Sequence, residues 1–162
     1  MIYQEILIKH RPQSRDAAPS LFIMTGQSNV SNSKSPLYMV THAASLGYHT
    51  MIDAAALAPT CLFSLSEFPA DAMAISFYKM FGYPTGVGAL IVKESFLKQL
   101  RRPWFAGGTV DFVQAPGTVV TPSPNLHEQF EVKPVVKLSA LFQSDVLILI
   151  RTAQLIICIS RL

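Results

Sequence analysis

The stretch whose reading decides the fold is Asp71–Val92, DAMAISFYKMFGYPTGVGALIV. Two apolar runs, Ala72–Ile75 and Ala89–Val92, bracket a segment in which Lys79 stands among aromatic residues. Gly82, Pro84, Gly86 and Gly88 follow the lysine. Short uncharged runs bounded by turn-forming residues have the pattern of strands buried on both faces. An ammonium group between two such strands needs a reason, because lysine is among the residues least often buried without a partner.

Working outward, the same pattern recurs. Leu21–Met24 opens into TGQSN, and Tyr48–Ile52 ends at Asp53. Both read as strands that lead into polar loops. Between them, Ser35 and Pro36 mark a helix start: a side-chain oxygen at the cap and a proline at the first helical position. Gly47 marks its end, which predicts a helix over Pro36–Leu46. Ala54–Ala58 is a small-residue segment broken by Pro59. Downstream, Val87–Val92 reads as a strand, and Glu94–Arg102 as a helix with its acid early and its bases late. Val110–Asn125, with Pro116, Gly117, Pro122 and Pro124, reads as loop. Strands separated by helical segments predict an α/β layer with a mostly parallel sheet flanked by helices.

Composition agrees with one core-rich domain. The chain has 162 residues, 50% hydrophobic and 14% charged, and a mean hydropathy of +0.34. The net charge is +3 and there is no long run of Lys and Arg. The cluster Lys98, Arg101 and Arg102 reads as a solvated helix end, so no nucleic-acid partner is expected. Cys61 and Cys158 have no metal or redox spacing, so no metal is expected. Few cysteines and an N-terminus unlike a secretory leader point to a cytoplasmic protein. The most apolar segment, Val146–Ile159, is interrupted by Arg151 and Gln154 and is short for a bilayer, so no membrane span is expected.

In open parallel sheets, ligand-binding groups collect just past the carboxyl ends of the strands. Asn29, Asp53 and Ser76 lie at or beyond such ends, and Lys79 follows three residues after Ser76. An amide, a carboxylate, a hydroxyl and an amine together suit pyridoxal 5′-phosphate. The amine takes the cofactor aldehyde as a Schiff base, and the acid keeps the pyridine nitrogen protonated. The hydroxyl takes the phosphate. Each residue also has an ordinary reading: a solvated lysine, a turn aspartate, a serine bonded to backbone, a turn asparagine. Their order and spacing favour the cofactor.

The run AISFYKMFGYPTGVGALIV resembles the class V aminotransferase and cysteine desulfurase superfamily around its cofactor lysine. SFYKMFGYPTGVGALIV followed by FAGGTV is most similar to the N-terminal aminotransferase-like domain of the molybdenum cofactor sulfurase branch. QSNVSNSKSPL and MIDAAALAPT resemble the two motifs that precede it there, and HEQFE resembles the start of a later one. The resemblance runs from about Leu21 to Glu131. It implies part of the large domain of a fold-type-I pyridoxal phosphate enzyme, with residues 1–20 unassigned and 132–162 a non-matching apolar tail.

By that resemblance, Asn29 would lie near the ring hydroxyl, Asp53 at the ring nitrogen and Ser76 at the phosphate. Lys79 would hold the cofactor covalently, and Tyr78 stands where many desulfurases have histidine. Gly107, Gly108 and Thr109 match a segment that reaches the phosphate of a neighbouring subunit, which implies a homodimer. The amine between two strands is then accounted for by a cofactor carbonyl. L-cysteine as sulfur donor and the molybdenum cofactor as sulfur acceptor are implied for the parent family.

The departures from the family pattern are also specific. A ring-stacking residue and a phosphate-binding turn belong well upstream of SN, and the chain begins close to Asn29. Gly-Thr is absent after Phe130–Glu131, as are the small domain and the loop with the persulfide cysteine. Asn32 stands at a usual glycine, and Ala56 at a usual polar residue. Cys61 reads as a small packed residue. The expectation is a partial domain that is inactive by itself. Two other readings stay open here: another class V pyridoxal phosphate enzyme (a cysteine desulfurase, selenocysteine lyase or aminotransferase), or a non-catalytic interaction fragment with an exposed sheet edge.

Overall fold

The computed structural model describes residues 2–13, 19–82, 88–101 and 109–130, and the backbone of 155–160. The chain divides into two compact units, 1–75 and 76–162.

The first unit is built on parallel strands. β1 (Leu21–Thr25) pairs with β2 (His49–Asp53) in register from Leu21↔His49 to Thr25↔Asp53. β2 pairs in parallel with β3 (Ala72–Ser76), with Asp53 opposite Ala74. The register puts Phe22, Met24, Thr50 and Ile52 on one face, because successive side chains alternate. Helix α2 (Tyr38–Ser45), in the β1–β2 crossover, covers part of that face. Its Met39 and Ala43 form a buried cluster with Leu7, against which Phe22, Met24, Leu46 and Tyr48 pack. Leu7 comes from helix α1 (Ile2–Lys9), and the Tyr48 hydroxyl donates to the Leu7 carbonyl at 3.0 Å. Sequence reading left this N-terminal segment unassigned. On the other face of β1, Leu21 and Ile23 are 45% and 59% exposed, so the strand is apolar on both sides but covered on one.

Three local expectations need correction. Helix α2 starts at Tyr38, and no side chain caps it. Ser35 is drawn elsewhere: its N–H donates to the Gly26 carbonyl at 2.9 Å, which ties it to the exit of β1. Pro36 and Leu37 instead form a tight turn whose carbonyls accept Met39 N–H and Val40 N–H, an i→i+3 entry to the helix. The other end is as expected, with Gly47 at φ +92°, the left-handed conformation that glycine adopts freely.

The second unit opens with Ser76 and a one-turn helix, α3 (Tyr78–Phe81). β4 (Gly88–Lys93) pairs in parallel with β7 (Leu155–Ser160), from Gly88↔Leu155 to Lys93↔Ser160. α4 spans only Glu94–Leu97: the Lys98 amide closes it on Glu94, and the Gln99 and Leu100 amides bond three residues back, so the helix tapers into a turn. Phe96 and Leu97 are buried, and Lys98 pairs with Glu94 at 2.8 Å on the surface. The expected loop at 110–125 holds a hairpin of β5 (Val110–Val113) and β6 (Val120–Pro122). Its prolines sit at the turn and at the strand end, where no ladder amide is lost. A short helix, α5 (Leu126–Phe130), follows.

Candidate cofactor site

In the first unit, two loops meet at the carboxyl ends of β1 and β2. Asp53 closes β2 and is half-buried. Its Oδ1 accepts the Ala55 N–H at 3.0 Å, which fixes the rotation of the carboxylate at the mouth of the turn. Its backbone carbonyl accepts the Gly26 N–H at 2.8 Å, which extends the β1–β2 ladder one residue beyond β1. The ordinary reading of Asp53 as a turn residue therefore holds, and it leaves the acid at the end of the central strand of three.

The loop after β1 is shaped by Ser28. Its Oγ accepts the N–H groups of Val30 and Ser31, both at 3.2 Å. Its N–H donates to the Ser33 carbonyl at 2.9 Å, and its carbonyl accepts the Asn32 N–H at 3.1 Å. Asn29 is exposed at the first position of the resulting turn. Asn32 has φ +57°, the left-handed region. Asparagine, like glycine, tolerates this backbone better than other residues do.

Gly26 sits where no side chain fits. A Cβ there would lie 2.7 Å from Leu57 Cδ2 and 3.3 Å from the Asp53 carbonyl oxygen. Leu57 is 1% exposed and cannot swing into solvent without opening the core. Gly26→Ala is expected to destabilise the chain by roughly 1–3 kcal/mol through overpacking, read as a lower urea midpoint. An unchanged midpoint would show that Leu57 yields freely.

The second unit carries the remaining groups. Ser76 is the last residue of β3 and is half-buried. Phe77 starts α3, its carbonyl accepting the N–H groups of Met80 and Phe81, and its ring lies 6.2 Å from the Phe81 ring. Lys79 is half-buried on this single turn, with Nζ 5.9 Å from the centroid of the Tyr78 ring. Tyr78 itself is 40% exposed. The strand-to-helix junction thus presents Ser76 and Lys79 three residues apart, and Gly82 ends the turn at φ +80°.

Thr109 is 3% exposed, and its carbonyl accepts the Ser123 N–H at 3.1 Å. Ser123, itself buried, donates its hydroxyl to Glu128 Oε2 at 2.7 Å. Gly107 and Gly108 lie outside the described residues. Cys61 is half-buried with Sγ 3.8 Å from the Leu57 carbonyl, and Cys158 falls on β7. The fold brings the Asn29 loop and Asp53 to one edge of the first unit, and Ser76, Tyr78 and Lys79 to one junction of the second.

Sequence reasoning missed Gln27 and Thr60. Gln27 is 4% exposed, and its Oε1 accepts the Thr60 hydroxyl. The only hint was a polar residue placed directly after the Thr25–Gly26 strand exit.

Comparison with known proteins supplies the family. The Aminotransferase class-V profile matches residues 3–143. Molybdenum cofactor sulfurase of Danio rerio is 37% identical over 125 residues, covering 71% of this chain and 15% of that protein. The human protein of that name is 35% identical over 122 residues, covering 70% of this chain and 14% of that one. The chain therefore spans about one seventh of the length of these curated relatives. Among solved structures, the apo cysteine desulfurase of Thermococcus onnurineus NA1 aligns with a TM-score of 0.57 at 28% identity, covering 70% of this chain and 28% of that one. The Escherichia coli cysteine desulfurase CsdA aligns with a TM-score of 0.57 at 26% identity, covering 71% and 28%. These neighbours bear out the expected fold, a mostly parallel α/β layer of pyridoxal phosphate fold type I. The chain belongs to the class-V aminotransferase family.

Proposed function

We propose that this chain is the cofactor-holding part of a pyridoxal phosphate domain whose parent activity moves sulfur from L-cysteine to the molybdenum cofactor. The observation that carries the reading is the placement of a fixed acid at the end of β2 and of a lysine one turn after β3. The relatives' names add the sulfur chemistry.

Each donor is of a chemical type that the cofactor would take. The Asp53 carboxylate is oriented by the Ala55 amide and is the group that would hold the proton on the pyridine nitrogen. Asn29, on the adjoining loop, supplies an amide for the ring hydroxyl. The Ser76 hydroxyl would take the phosphate, and Lys79 Nζ would hold the cofactor covalently. Bound pyridoxal phosphate supplies an electron sink that labilises bonds at an amino acid's α-carbon. Lys79 Nζ is also the base that would take and return a substrate α-proton.

The same reading makes the chain by itself inactive in sulfur transfer. Persulfide formation needs a thiolate on a mobile, accessible segment, whereas Cys61 turns its Sγ toward the Leu57 carbonyl. The chemistry belongs in the cytoplasm, where thiols stay reduced.

Asp53→Ala is expected to weaken pyridoxal phosphate binding about 10- to 100-fold, the loss of one charge-assisted hydrogen bond. Asp53→Glu should recover part of it. Titration followed by visible absorbance measures both. Equal affinity in wild type and Asp53→Ala would remove the acid from the site.

A further inference from the structure

We infer that Gln27 and Thr60 are positioning residues that clasp the Asn29 loop to the turn carrying Asp53; this rests on the reading of Asn29 and Asp53 as cofactor ligands. The two residues are 33 apart in sequence, and the Thr60 hydroxyl donates to Gln27 Oε1 across the two loops. Gln27 is 4% exposed, so its amide cannot exchange that partner for bulk water. Thr60 N–H donates to the Leu57 carbonyl at 2.9 Å, which holds Thr60 in the turn it serves. On the other loop, Gln27 bridges to Lys34, Ser35 N–H donates to Gly26, and Lys34 Nζ reaches the Thr60 carbonyl at 3.5 Å.

The consequence is a small rigid assembly. Asn29 lies two residues after Gln27, inside the loop that the 26–35 contacts close. Asp53 lies at the root of the turn that Thr60 ends. Besides the Lys34–Thr60 contact, two contacts then fix one loop against the other. The first is the backbone bond from Gly26 N–H to the Asp53 carbonyl, and the second is the Gln27–Thr60 pair. The backbone bond sets the distance between strand ends, and the side-chain pair sets the tilt of the loops above them. Neither Gln27 nor Thr60 needs to touch the cofactor for this. Their effect is transmitted through where Asn29 and the Asp53 carboxylate point.

The test uses the full chain with Thr60→Val, which keeps the shape and removes the hydroxyl, and Thr60→Ser, which keeps the hydroxyl. Gln27→Leu approaches the same pair from the other side. Hydrogen exchange is followed at the amides of Gly26, Asn32 and Ser35, and pyridoxal phosphate affinity is measured in parallel. Thr60→Val and Gln27→Leu should each lower protection at these amides by roughly 5- to 30-fold, the range for one or two lost kilocalories. Thr60→Ser should restore it, and cofactor affinity should follow the same order. Unchanged protection in Thr60→Val, or a Thr60→Ser chain that behaves like Thr60→Val, overturns the clasp even if wild type binds the cofactor. Wild type that takes up no cofactor overturns the reading of the site, and the positioning role falls with it, while the exchange data separately report whether the loops are clasped.

Discussion

Pyridoxal 5′-phosphate added to the purified chain is expected to give the visible absorbance of lysine-bound cofactor, and Lys79→Ala to remove it completely. This is the largest effect expected of any single substitution, because it deletes the bond-forming atom rather than a supporting contact. Other lysines provide the comparison. Lys34 reaches toward a loop carbonyl and Lys98 is held by Glu94 on the surface. Any amine can capture an aldehyde weakly, so Lys98→Ala must leave the band in place at low cofactor concentration. Lys79 differs by its setting: half-buried, directly after a strand, on a single helical turn closed by Gly82. A band that persists in Lys79→Ala and declines with each surface lysine removed would mean nonspecific capture.

The second large effect concerns the sheet beneath the acid. Ile52 is 0% exposed and lies between Met24 and Met73 in the parallel register. Ile52→Ala removes side-chain volume from a place where both neighbouring strands are already fixed by backbone bonds. Little collapse can follow, and a loss of about 2–5 kcal/mol is expected. Against a typical total of about 5–15 kcal/mol that is enough to leave much of the chain unfolded at modest urea. Ile23→Ala, on the 59% exposed side of β1, should change the midpoint little. Urea unfolding followed by far-ultraviolet circular dichroism measures both. Equal losses at the two positions would contradict the assignment of the buried face. Since Asp53 follows Ile52 directly, partial unfolding there should also weaken cofactor uptake.

The strands were the most legible part of the sequence. Parallel strands are buried on both faces, so they appear as uncharged runs, and β3 was bounded correctly at Ala72–Ser76. The residues at their ends were legible for the same reason: a polar group directly after an apolar run marks the carboxyl edge. Helix boundaries were less so. Ser35 has every local mark of a cap, but the helix begins three residues later at Tyr38, and only the fold reveals that the Ser35 amide ties it to Gly26 across the loop. The β5–β6 hairpin was hidden because its strands are short and its prolines dominate the local pattern. Gln27 and Thr60 could not be paired from sequence, since their meeting depends on the register of β1 against β2 and on the turn geometry after Asp53.

The most direct test of the central claim is a crystal structure of the chain grown with pyridoxal 5′-phosphate. The account predicts continuous density from Lys79 Nζ into the cofactor, with the ring nitrogen within hydrogen-bond distance of the Asp53 carboxylate. Density joined to a different lysine, or a ring whose nitrogen faces away from Asp53, would contradict it.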